Sequence, residues 1–487
     1  MKELRRNIFI ILAVFVAAFL FLIGNFSYAV YFYGGRWFEN SYNVRIQSEK
    51  KKVITGTIYD RNGELLAVTK QDKSGEAFRY YPNGAATVHV VGYDHPKYGR
   101  AGAEAFFARY LLGFDNNIIE RIYQTLFLYE RKGNNVVLTI DSRLQKDVHK
   151  LLTKKKYQGA VVVLNARTGE ILTMVSRPDF NPNELEEVFS DVSKKEKENQ
   201  TDGRFLNRAT QGYYTPGSIF KIITAASAIR YKEDVQNEIY NCDGKLEVNG
   251  QVIRDYNKEK HGKINLKNAF SLSCNSTFAE LGLELGRTRL KKTAEDFGFN
   301  EEFLFNDVRM GKSKFDPATD AGEDELAWAA IGQAEDIVTP LHMAMIAGSI
   351  VNDGIMMEPK LLKSVVNIRG YQVKTFKAHS YKRTVSQEIA AILQDMMEEV
   401  VKTGTGKSLK PQRYANLKEL SIGGKTGTAE VGEGKKKKNY AWYVGFGDDG
   451  QDPLAIAIVL EDVKGTGGKE AAPLAGEILN KAIGYLK

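Results

Sequence analysis

Three short motifs, in one order along the chain, carry its reactive side chains. They are Ser218-Ile-Phe-Lys221, Ser273-Cys-Asn275 and Lys425-Thr-Gly427. Together they supply a serine nucleophile, two lysines and a second hydroxyl group. A lysine that loses its proton is able to activate a serine hydroxyl, so this set has the equipment for acyl transfer without a histidine base.

The candidate nucleophile, Ser218, is predicted to begin a helix. Pro216 and Gly217 come just before it, and apolar residues then continue at helical spacing as far as Ala226. A spacing of three residues places Lys221 on the same helical face, within reach of the Ser218 hydroxyl. If Lys221 is buried beside a second ammonium group, its pKa falls and it is able to act as the base.

The third motif lies in a predicted strand over residues 422–431. Alternation along a strand puts Lys425 and Gly427 on one face and Thr426 and Thr428 on the other. Because Gly427 has no side chain, another backbone or a ligand is able to approach it closely. Thr426 is a candidate to hold a substrate carboxylate, and the backbone N–H of Thr428 is a candidate oxyanion-hole donor.

The second motif places a hydroxyl and an amide, Ser273 and Asn275, two positions apart on a tight loop where both can face a cleft. Each motif alone has an ordinary structural explanation, such as a serine or asparagine helix cap or a glycine-bearing edge strand. Their joint occurrence, each on the element that the chemistry requires, favours a catalytic site.

The order of predicted elements indicates an α+β fold: a strand pair, a largely helical subdomain over residues 216–352, three strands and a closing helix. We therefore expect a five-stranded antiparallel sheet flanked by helices. The predicted strands are residues 159–165, 170–175, 422–431, 440–447 and 454–463, and the closing helix is residues 472–486. Upstream we predict a hairpin over residues 54–67, a strand over residues 134–141 that ends in a helix cap at Asp141, and a charged, solvated loop over residues 190–200.

A long apolar segment near the N-terminus predicts a membrane anchor over residues 7–33. Lys2, Arg5 and Arg6 lie in the preceding tail, residues 1–6. Lysines and arginines that flank a membrane span usually stay on the cytoplasmic side. We therefore expect a cytoplasmic tail and an extracytoplasmic remainder, in a single-pass protein of the cytoplasmic membrane.

The alternative to a permanent anchor is a cleaved signal peptide, because residues 27–29 loosely resemble a cleavage site. Residues 34–133 form a predicted small N-terminal module, a pedestal or dimerisation-like segment with no obvious chemistry of its own. Residues 134–487 form the predicted catalytic domain. A chain of 487 residues exceeds what one hydrophobic core usually serves, so two or three domains are expected.

Composition narrows the classes of partner. The formal charge of +8 would suit a surface that faces anionic lipids or wall polymers, and without an aromatic-interleaved basic motif it does not favour nucleic acid. The two cysteines, Cys242 and Cys274, could pair in an oxidising compartment, but we expect buried thiols. The six histidines fall in no short metal-binding motif, so neither a metal nor a cofactor is expected.

Around these motifs the chain resembles the class B penicillin-binding proteins, the membrane-anchored transpeptidases of bacterial wall synthesis, over nearly its full length. It is similar to the compact members of that family and shows no separate glycosyltransferase domain. The stretches that carry the resemblance are residues 56–63, residues 212–221, Gly332-Gln333 with Thr339-Pro340, and residues 424–429.

The resemblance implies a serine D,D-transpeptidase. Ser218 would be acylated by the D-alanyl-D-alanine end of a peptidoglycan stem peptide, with release of D-alanine, and Lys221 would take the serine proton. Ser273 and Lys425 would relay a proton to the leaving amine. An amine of a neighbouring stem peptide would then attack the acyl-enzyme, and β-lactams would trap the same serine.

The resemblance also implies the substrate-binding residues. Asn275 would orient the substrate, and Thr426 and Thr428 would bind its terminal carboxylate beside Gly427. The backbone N–H groups of Ser218 and Thr428 would form the oxyanion hole. A polytopic glycan polymerase is the implied membrane partner, of the shape, elongation, division or sporulation class.

Two other functions stay open at this stage. A serine β-lactamase or D,D-carboxypeptidase would let water reach the acyl-enzyme, but class A β-lactamases usually have Asp where Cys274 stands, and class D enzymes have Val where Asn275 stands. A non-catalytic β-lactam sensor or scaffold would bind the drug without turnover, but only about six residues precede the predicted span, which leaves little room for an intracellular output domain.

Overall fold

The structure is a computed structural model, and it describes residues 2–33, 53–116, 122, 124, 126, 131–198, 202–317, 322–431 and 438–486. Its centre is a five-stranded antiparallel sheet, called here the catalytic sheet. The predicted α+β fold and its five strands are confirmed. In spatial order the strands are Ile171–Arg177, Gln158–Asn165, Leu454–Glu461, Lys438–Asp448 and Ser421–Val431.

The catalytic sheet is apolar on both faces because helices cover both. Residues such as Val162 and Trp442 face a core shared with the helix Pro340–Val351. Alternate residues such as Val163 face a second core, shared with other helices. The two helices on that second face are Ser142–Lys155 and Gly467–Leu486.

The subdomain between the first two strands and the last three is less helical than predicted. Two short antiparallel ribbons interrupt the stretch predicted to be helical, which the sequence prediction missed, and a third ribbon, Ile355–Met357 with Ser380–Arg383, follows that stretch. The second ribbon turns at Asn249-Gly250, where φ is +51° and +77°; two positive φ angles are the signature of a tight two-residue hairpin turn. The ribbon strands are Tyr240–Cys242 with Gly262–Ile264, and Lys245–Val248 with Gln251–Arg254. Besides Pro340–Val351, helices of this region include Arg208–Gln211, Lys221–Tyr231, Leu266–Leu272, Asn275–Asp296, Glu323–Ala330 and Gln387–Lys402.

The prediction of a charged loop over residues 190–200 is wrong where the structure describes it. The helix Leu185–Lys197 occupies most of that segment. Its Leu185 and Val188 pack in a small core with Phe180, while acidic residues in the first turn and lysines in the last complement the helix dipole. The many charged residues of this segment concealed its amphipathic pattern, so the sequence analysis did not predict the helix.

A six-stranded sheet, called here the N-terminal sheet, contains the predicted hairpin, which turns at Asn62-Gly63. This sheet takes strands from both sides of the predicted domain boundary at residue 134. Its strands in spatial order are Gln372–Thr375, Leu362–Val366, Asn135–Leu138, Ile58–Tyr59, Leu65–Gln71 and Ala77–Tyr80. The N-terminal region also has the short helices Val88–Val91, Gly102–Phe106 and Ala108–Leu111, of which Ala108–Leu111 packs against the strand Asn135–Leu138.

The N-terminal segment forms one long helix, Lys2–Tyr33. Within it, Glu3–Ala29 reaches a mean hydropathy of 2.8 and is long and apolar enough to cross a membrane.

Asp141 links the two parts of the chain. It caps the helix Ser142–Lys155, where its Oδ1 accepts hydrogen bonds from the backbone N–H of Arg143 (2.9 Å) and of Leu144 (3.3 Å). Its Oδ2 accepts one from the side chain of Asn62 in the N-terminal hairpin (3.0 Å). Burial raises the pKa of Asp141, but the Arg143 guanidinium, which donates to Oδ1 (3.1 Å) and Oδ2 (2.6 Å), outweighs burial together with the hydrogen bonds from Asn62 and Leu144, and the pKa lies below its usual range.

We predict that Asp141→Ala lowers the free energy of unfolding by about 1–2 kcal/mol, because the helix loses its cap. Asp141→Asn is the matched control, since asparagine caps a helix about as well as aspartate. Denaturant unfolding of the two variants checks this. Equal losses in both would show that the charge, and not the cap, is what matters.

Candidate active site

Ser218 lies in a 3-10 turn, Gly217–Phe220, that continues directly into the helix Lys221–Tyr231. It is half-buried, at the point where the subdomain meets the edge strand of the catalytic sheet. The turn is fixed by its neighbours, since the N–H of Gly217 donates to the carbonyl of Gly332 (2.8 Å). The predicted helix therefore opens with a 3-10 turn that holds the serine.

Two glycines allow the serine turn to pack closely against its neighbours. Gly217 has φ of +56°, and a Cβ on it would lie 2.9 Å from the carbonyl oxygen of Thr428. A Cβ on Gly332 would lie 2.3 Å from the carbonyl oxygen of Gly217. A side chain on Gly217 would push the serine turn away from the Lys-Thr-Gly strand, and one on Gly332 would collide with the serine turn itself.

Lys221 joins the first motif to the second. Its side chain is fully buried, and its Nζ donates to the carbonyl oxygen of Ser273 (2.6 Å) and to Oδ1 of Asn275 (2.7 Å). The Oγ of Ser273 is also within 3.2 Å of the same nitrogen. One amine thus organises the outer residues of the Ser-Cys-Asn motif.

The Ser273-Cys-Asn275 loop is a tight junction between two helices, Leu266–Leu272 and Asn275–Asp296. Ser273 ends the first helix with φ of +61°, the left-handed conformation common at helix ends. Cys274 then caps the second helix. The backbone N–H of Asn275 donates to Oδ1 of Asp255, which holds the loop in place.

Lys425 brings the third motif into the same site. It is fully buried on the edge strand, with Nζ 3.1 Å from the carbonyl oxygen of Thr426 and 5.6 Å from the ring centroid of Phe270. Burial, followed by the positive charge of Lys221, holds the pKa of Lys425 well below its ordinary value.

Burial also lowers the pKa of Lys221, to about 8, while the carboxylate of Asp255 opposes that shift. An amine with a pKa near 8 is partly uncharged at neutral pH and can accept a proton from a hydroxyl group. Two buried lysines, of which Lys221 lowers the pKa of Lys425, give the site its basic groups without histidine.

The strand alternation places Lys425 and Gly427 toward the serine turn, because a Cβ on Gly427 would lie 3.0 Å from Cγ2 of Ile219. The two threonines have other neighbours. The Oγ1 of Thr426 is 2.6 Å from Oγ1 of Thr405, and Oγ1 of Thr428 accepts a hydrogen bond from a backbone N–H at 3.2 Å.

Three residues that touch this strand were missed as site residues. Thr405 contacts Thr426, Gly467 donates its N–H to Thr428, and Gln333 donates from Nε2 to the carbonyl oxygen of Thr428 (3.3 Å). Gln333 entered the sequence analysis only through the family resemblance. Threonines between glycines, as in residues 404–406 and 465–467, were the available signal for the other two.

Comparison with known proteins identifies the family of this arrangement. The model of the penicillin-binding protein transpeptidase domain matches residues 159–480. Peptidoglycan D,D-transpeptidase PbpA of Mycolicibacterium smegmatis is 31% identical over 439 residues, which cover 86% of this chain and 87% of that protein. Stage V sporulation protein D of Bacillus subtilis is 29% identical, over 90% of this chain and 67% of that protein.

Solved structures agree with this match. Penicillin-binding protein A of Mycobacterium tuberculosis, as a ceftriaxone acyl-enzyme complex, superposes with a TM-score of 0.81 at 28% identity and covers 90% of this chain and 99% of that chain. The D,D-transpeptidase domain of a peptidoglycan glycosyltransferase from Eggerthella lenta gives a TM-score of 0.78 at 29% identity, over 89% of this chain and 99% of that chain. The chain therefore belongs to the penicillin-binding protein transpeptidase family and is homologous to the class B penicillin-binding proteins.

Proposed function

We propose that this protein is a peptidoglycan D,D-transpeptidase that crosslinks stem peptides through an acyl-enzyme on Ser218 and is inhibited covalently by β-lactams. The observation that carries the proposal is the position of the buried Lys221 amine. It lies one helical turn from Ser218 and makes hydrogen bonds to Ser273 and Asn275. Relatives named peptidoglycan D,D-transpeptidase and a neighbour solved as a β-lactam acyl-enzyme support it.

Acylation uses the two lysines in turn. Lys221 accepts the Ser218 proton as Oγ bonds to the carbonyl carbon of the penultimate D-alanine. The peptide C–N bond then breaks, and the nitrogen of the leaving D-alanine receives a proton along Ser273 and Lys425. The backbone N–H groups of Ser218 and Thr428 stabilise the oxyanion that forms between these steps.

Residues at the polar edge of the site bind the peptide substrate. Asn275 is positioned by its hydrogen bonds to Lys221 and to the carbonyl of Arg254 (2.8 Å), so its amide is pre-oriented toward a peptide substrate. Thr426 and Thr428 hold the terminal carboxylate, with Gly427 leaving room for the peptide backbone. Thr405, paired with Thr426, extends this hydroxyl set.

The second half-reaction regenerates the enzyme. The amine of a neighbouring stem peptide attacks the ester carbon and gives up a proton along Ser273 and Lys425, a new amide bond forms, and the Ser218 oxygen leaves with the proton that Lys221 returns. A β-lactam follows only the first half, because its opened ring stays attached to the acyl group and the leaving nitrogen remains in the site.

We also propose the arrangement at the membrane. The helix Lys2–Tyr33 anchors the protein, with Arg5 and Arg6 on the cytoplasmic side and the catalytic sheet outside. The family resemblance implies a polytopic glycan polymerase as partner. It would supply nascent glycan strands at the outer surface of the cytoplasmic membrane.

Incubation of the full-length chain in detergent with benzylpenicillin should add one drug mass per chain. The adduct should persist, and it should be absent in Ser218→Ala. Intact-mass spectrometry measures it, and Ser386→Ala, which removes a serine that caps another helix, is the matched control. An adduct retained in Ser218→Ala would contradict the assignment, and rapid drug hydrolysis would indicate a β-lactamase.

The rate of acylation should rise with pH through about pH 8, because only uncharged Lys221 accepts the serine proton and its pKa lies near 8. Lys221→Met should lower the rate by about 10²–10⁴-fold and remove this dependence. Stopped-flow measurement with a chromogenic cephalosporin checks both. A flat profile between pH 6 and pH 9 in the wild-type protein would exclude Lys221 as the base.

Lys425→Met should abolish rapid acylation and yet raise stability at neutral pH by about 1 kcal/mol or more. The folded-state pKa of Lys425 lies below its ordinary value of 10.5, so folding opposes protonation at any pH below that value. The gain should therefore shrink as pH rises toward 10.5. Denaturant unfolding at two pH values measures it, and a loss of stability at pH 7 would contradict the argument.

A further inference from the structure

Thr405 lies against the strand of the third motif, and its hydroxyl group pairs with that of Thr426. The two Oγ1 atoms are 2.6 Å apart. Thr426 is buried and Thr405 is half-buried. Within the described residues, neither hydroxyl group makes another hydrogen bond. The direction in which Thr426 points its proton is therefore tied to Thr405.

We propose that Thr405 is a positioning residue for the terminal carboxylate of the substrate. This inference rests on the proposed function, in which Thr426 holds that carboxylate. The Thr405 hydroxyl donates its proton to Oγ1 of Thr426, and the Thr426 proton is thereby directed at the carboxylate. Thr405 acts through Thr426, and its own proton does not reach the substrate.

The donor and acceptor capacity of a hydroxyl group fixes the direction of these two hydrogen bonds. A hydroxyl group has one proton and two lone pairs, whereas an ionised carboxylate only accepts. Because Thr426 gives its single proton to the carboxylate, it can only accept from Thr405. Hydrogen bonds in a chain polarise one another, so the bond from Thr405 strengthens the bond from Thr426 to the carboxylate.

Close backbone contacts on two sides hold the loop that carries Thr405. The N–H of Thr405 donates to the carbonyl oxygen of Ser271 (3.1 Å), and a Cβ on Gly404 would lie 2.3 Å from that oxygen. On the other side, a Cβ on Gly468 would lie 2.4 Å from the carbonyl oxygen of Thr405. Since its backbone is fixed before the substrate arrives, Thr405 has little freedom to lose on binding.

The electrostatic surroundings of the two threonines suit a bound anion. The helix Gly467–Leu486 begins here, and the N–H of Gly467 donates to Oγ1 of Thr428 (3.2 Å). The N-terminal end of a helix carries partial positive charge, which favours a carboxylate. This helix end and the Thr405–Thr426 pair therefore stabilise the same negative charge.

A purely structural role for the Thr405 hydroxyl leads to a different result. If the hydroxyl only held the loop in place, its loss would displace Thr426 and slow acylation by every substrate alike. If it directs the Thr426 proton, its loss slows only those substrates that carry a terminal carboxylate. A matched pair of substrates, with and without that carboxylate, separates the two roles.

The test measures acylation of the full-length chain in detergent by two D-alanyl thioesters, one ending in a carboxylate and the other in the corresponding neutral amide. Release of the thiol gives the second-order rate constant for each. Thr405→Val keeps the shape of the side chain and removes the hydroxyl group. It should lower the rate constant of the carboxylate thioester by about 10–100-fold and leave that of the neutral thioester within about 2-fold.

Three further variants complete the test. Thr405→Ser should keep the preference for the carboxylate thioester, because it keeps the hydroxyl group, and Thr405→Ala should lose it as valine does. Thr403→Val is the matched control, since it removes an exposed hydroxyl group of the same loop that bonds to Glu399. It should behave as the wild-type chain does.

A double variant tests whether Thr405 acts through Thr426. Thr405→Val should cause no further loss when Thr426→Val is already present, because the hydroxyl that Thr405 directs is then absent. A further loss in the double variant would show that Thr405 contacts the substrate itself, and it would overturn the proposal.

The neutral thioester also reports whether each variant is folded, since its acylation needs the intact site. Equal losses with both thioesters in Thr405→Val and Thr405→Ala would indicate a structural role and overturn the proposal, as would an unchanged preference for the carboxylate. Neither result would affect the proposed function. A wild-type chain that neither thioester acylates would overturn the proposed function and this inference together.

Discussion

Two lysine amines buried within electrostatic reach of each other are the constraint on which the rest of the site depends. Burial of an ammonium group costs free energy, and a second ammonium group nearby raises that cost. Both effects lower the lysine pKa and favour loss of a proton. Lys221 is partly compensated by the acceptors on Ser273 and Asn275, while Lys425 has a carbonyl oxygen and an aromatic ring. The pair thus provides one amine that can take a proton and one placed to pass it on. This works only where protein excludes water on every side, which requires the catalytic sheet and the subdomain to close over both amines.

That closure depends on backbone packed against backbone. Gly217, Gly332 and Gly467 each stand where a Cβ would lie within 3 Å of a carbonyl oxygen of a neighbouring segment. The serine turn and the start of the closing helix therefore meet the Lys-Thr-Gly strand almost directly, and the segment after the helix Glu323–Ala330 meets the serine turn. Hydrogen bonds from Gln333 and Gly467 to Thr428 complete this contact. The same closeness leaves little freedom for the residues that react, which is what pre-organised catalysis requires.

Asp255 ties this centre to the less regular part of the subdomain. One of its oxygens accepts from the backbone of Asn275, and the other faces Ser276 and the two thiols. A change at the ribbons would therefore reach the Ser-Cys-Asn loop through this carboxylate, as well as through the hydrogen bond from Asn275 to the carbonyl of Arg254 and the contact between Cys242 and Cys274. Asp141 has a comparable place at the other end of the molecule, where it caps a helix behind the catalytic sheet and bonds to the N-terminal hairpin.

The sequence by itself determined the elements whose signals are local. Helical spacing put Lys221 one turn from Ser218, and strand alternation separated Lys425 from the threonines, because both periods follow from backbone geometry. Apolar runs likewise marked four of the five strands, whereas Ser421–Val431 is rich in glycine and threonine. The helix Leu185–Lys197 was missed because its charges masked three apolar positions that bury only against a distant core. Only the tertiary structure decided which partners meet, including Thr405 beside Thr426 and Asp255 beside the Ser-Cys-Asn loop. Such pairs are far apart in the chain, and their proximity depends on how whole elements pack, which no local pattern encodes.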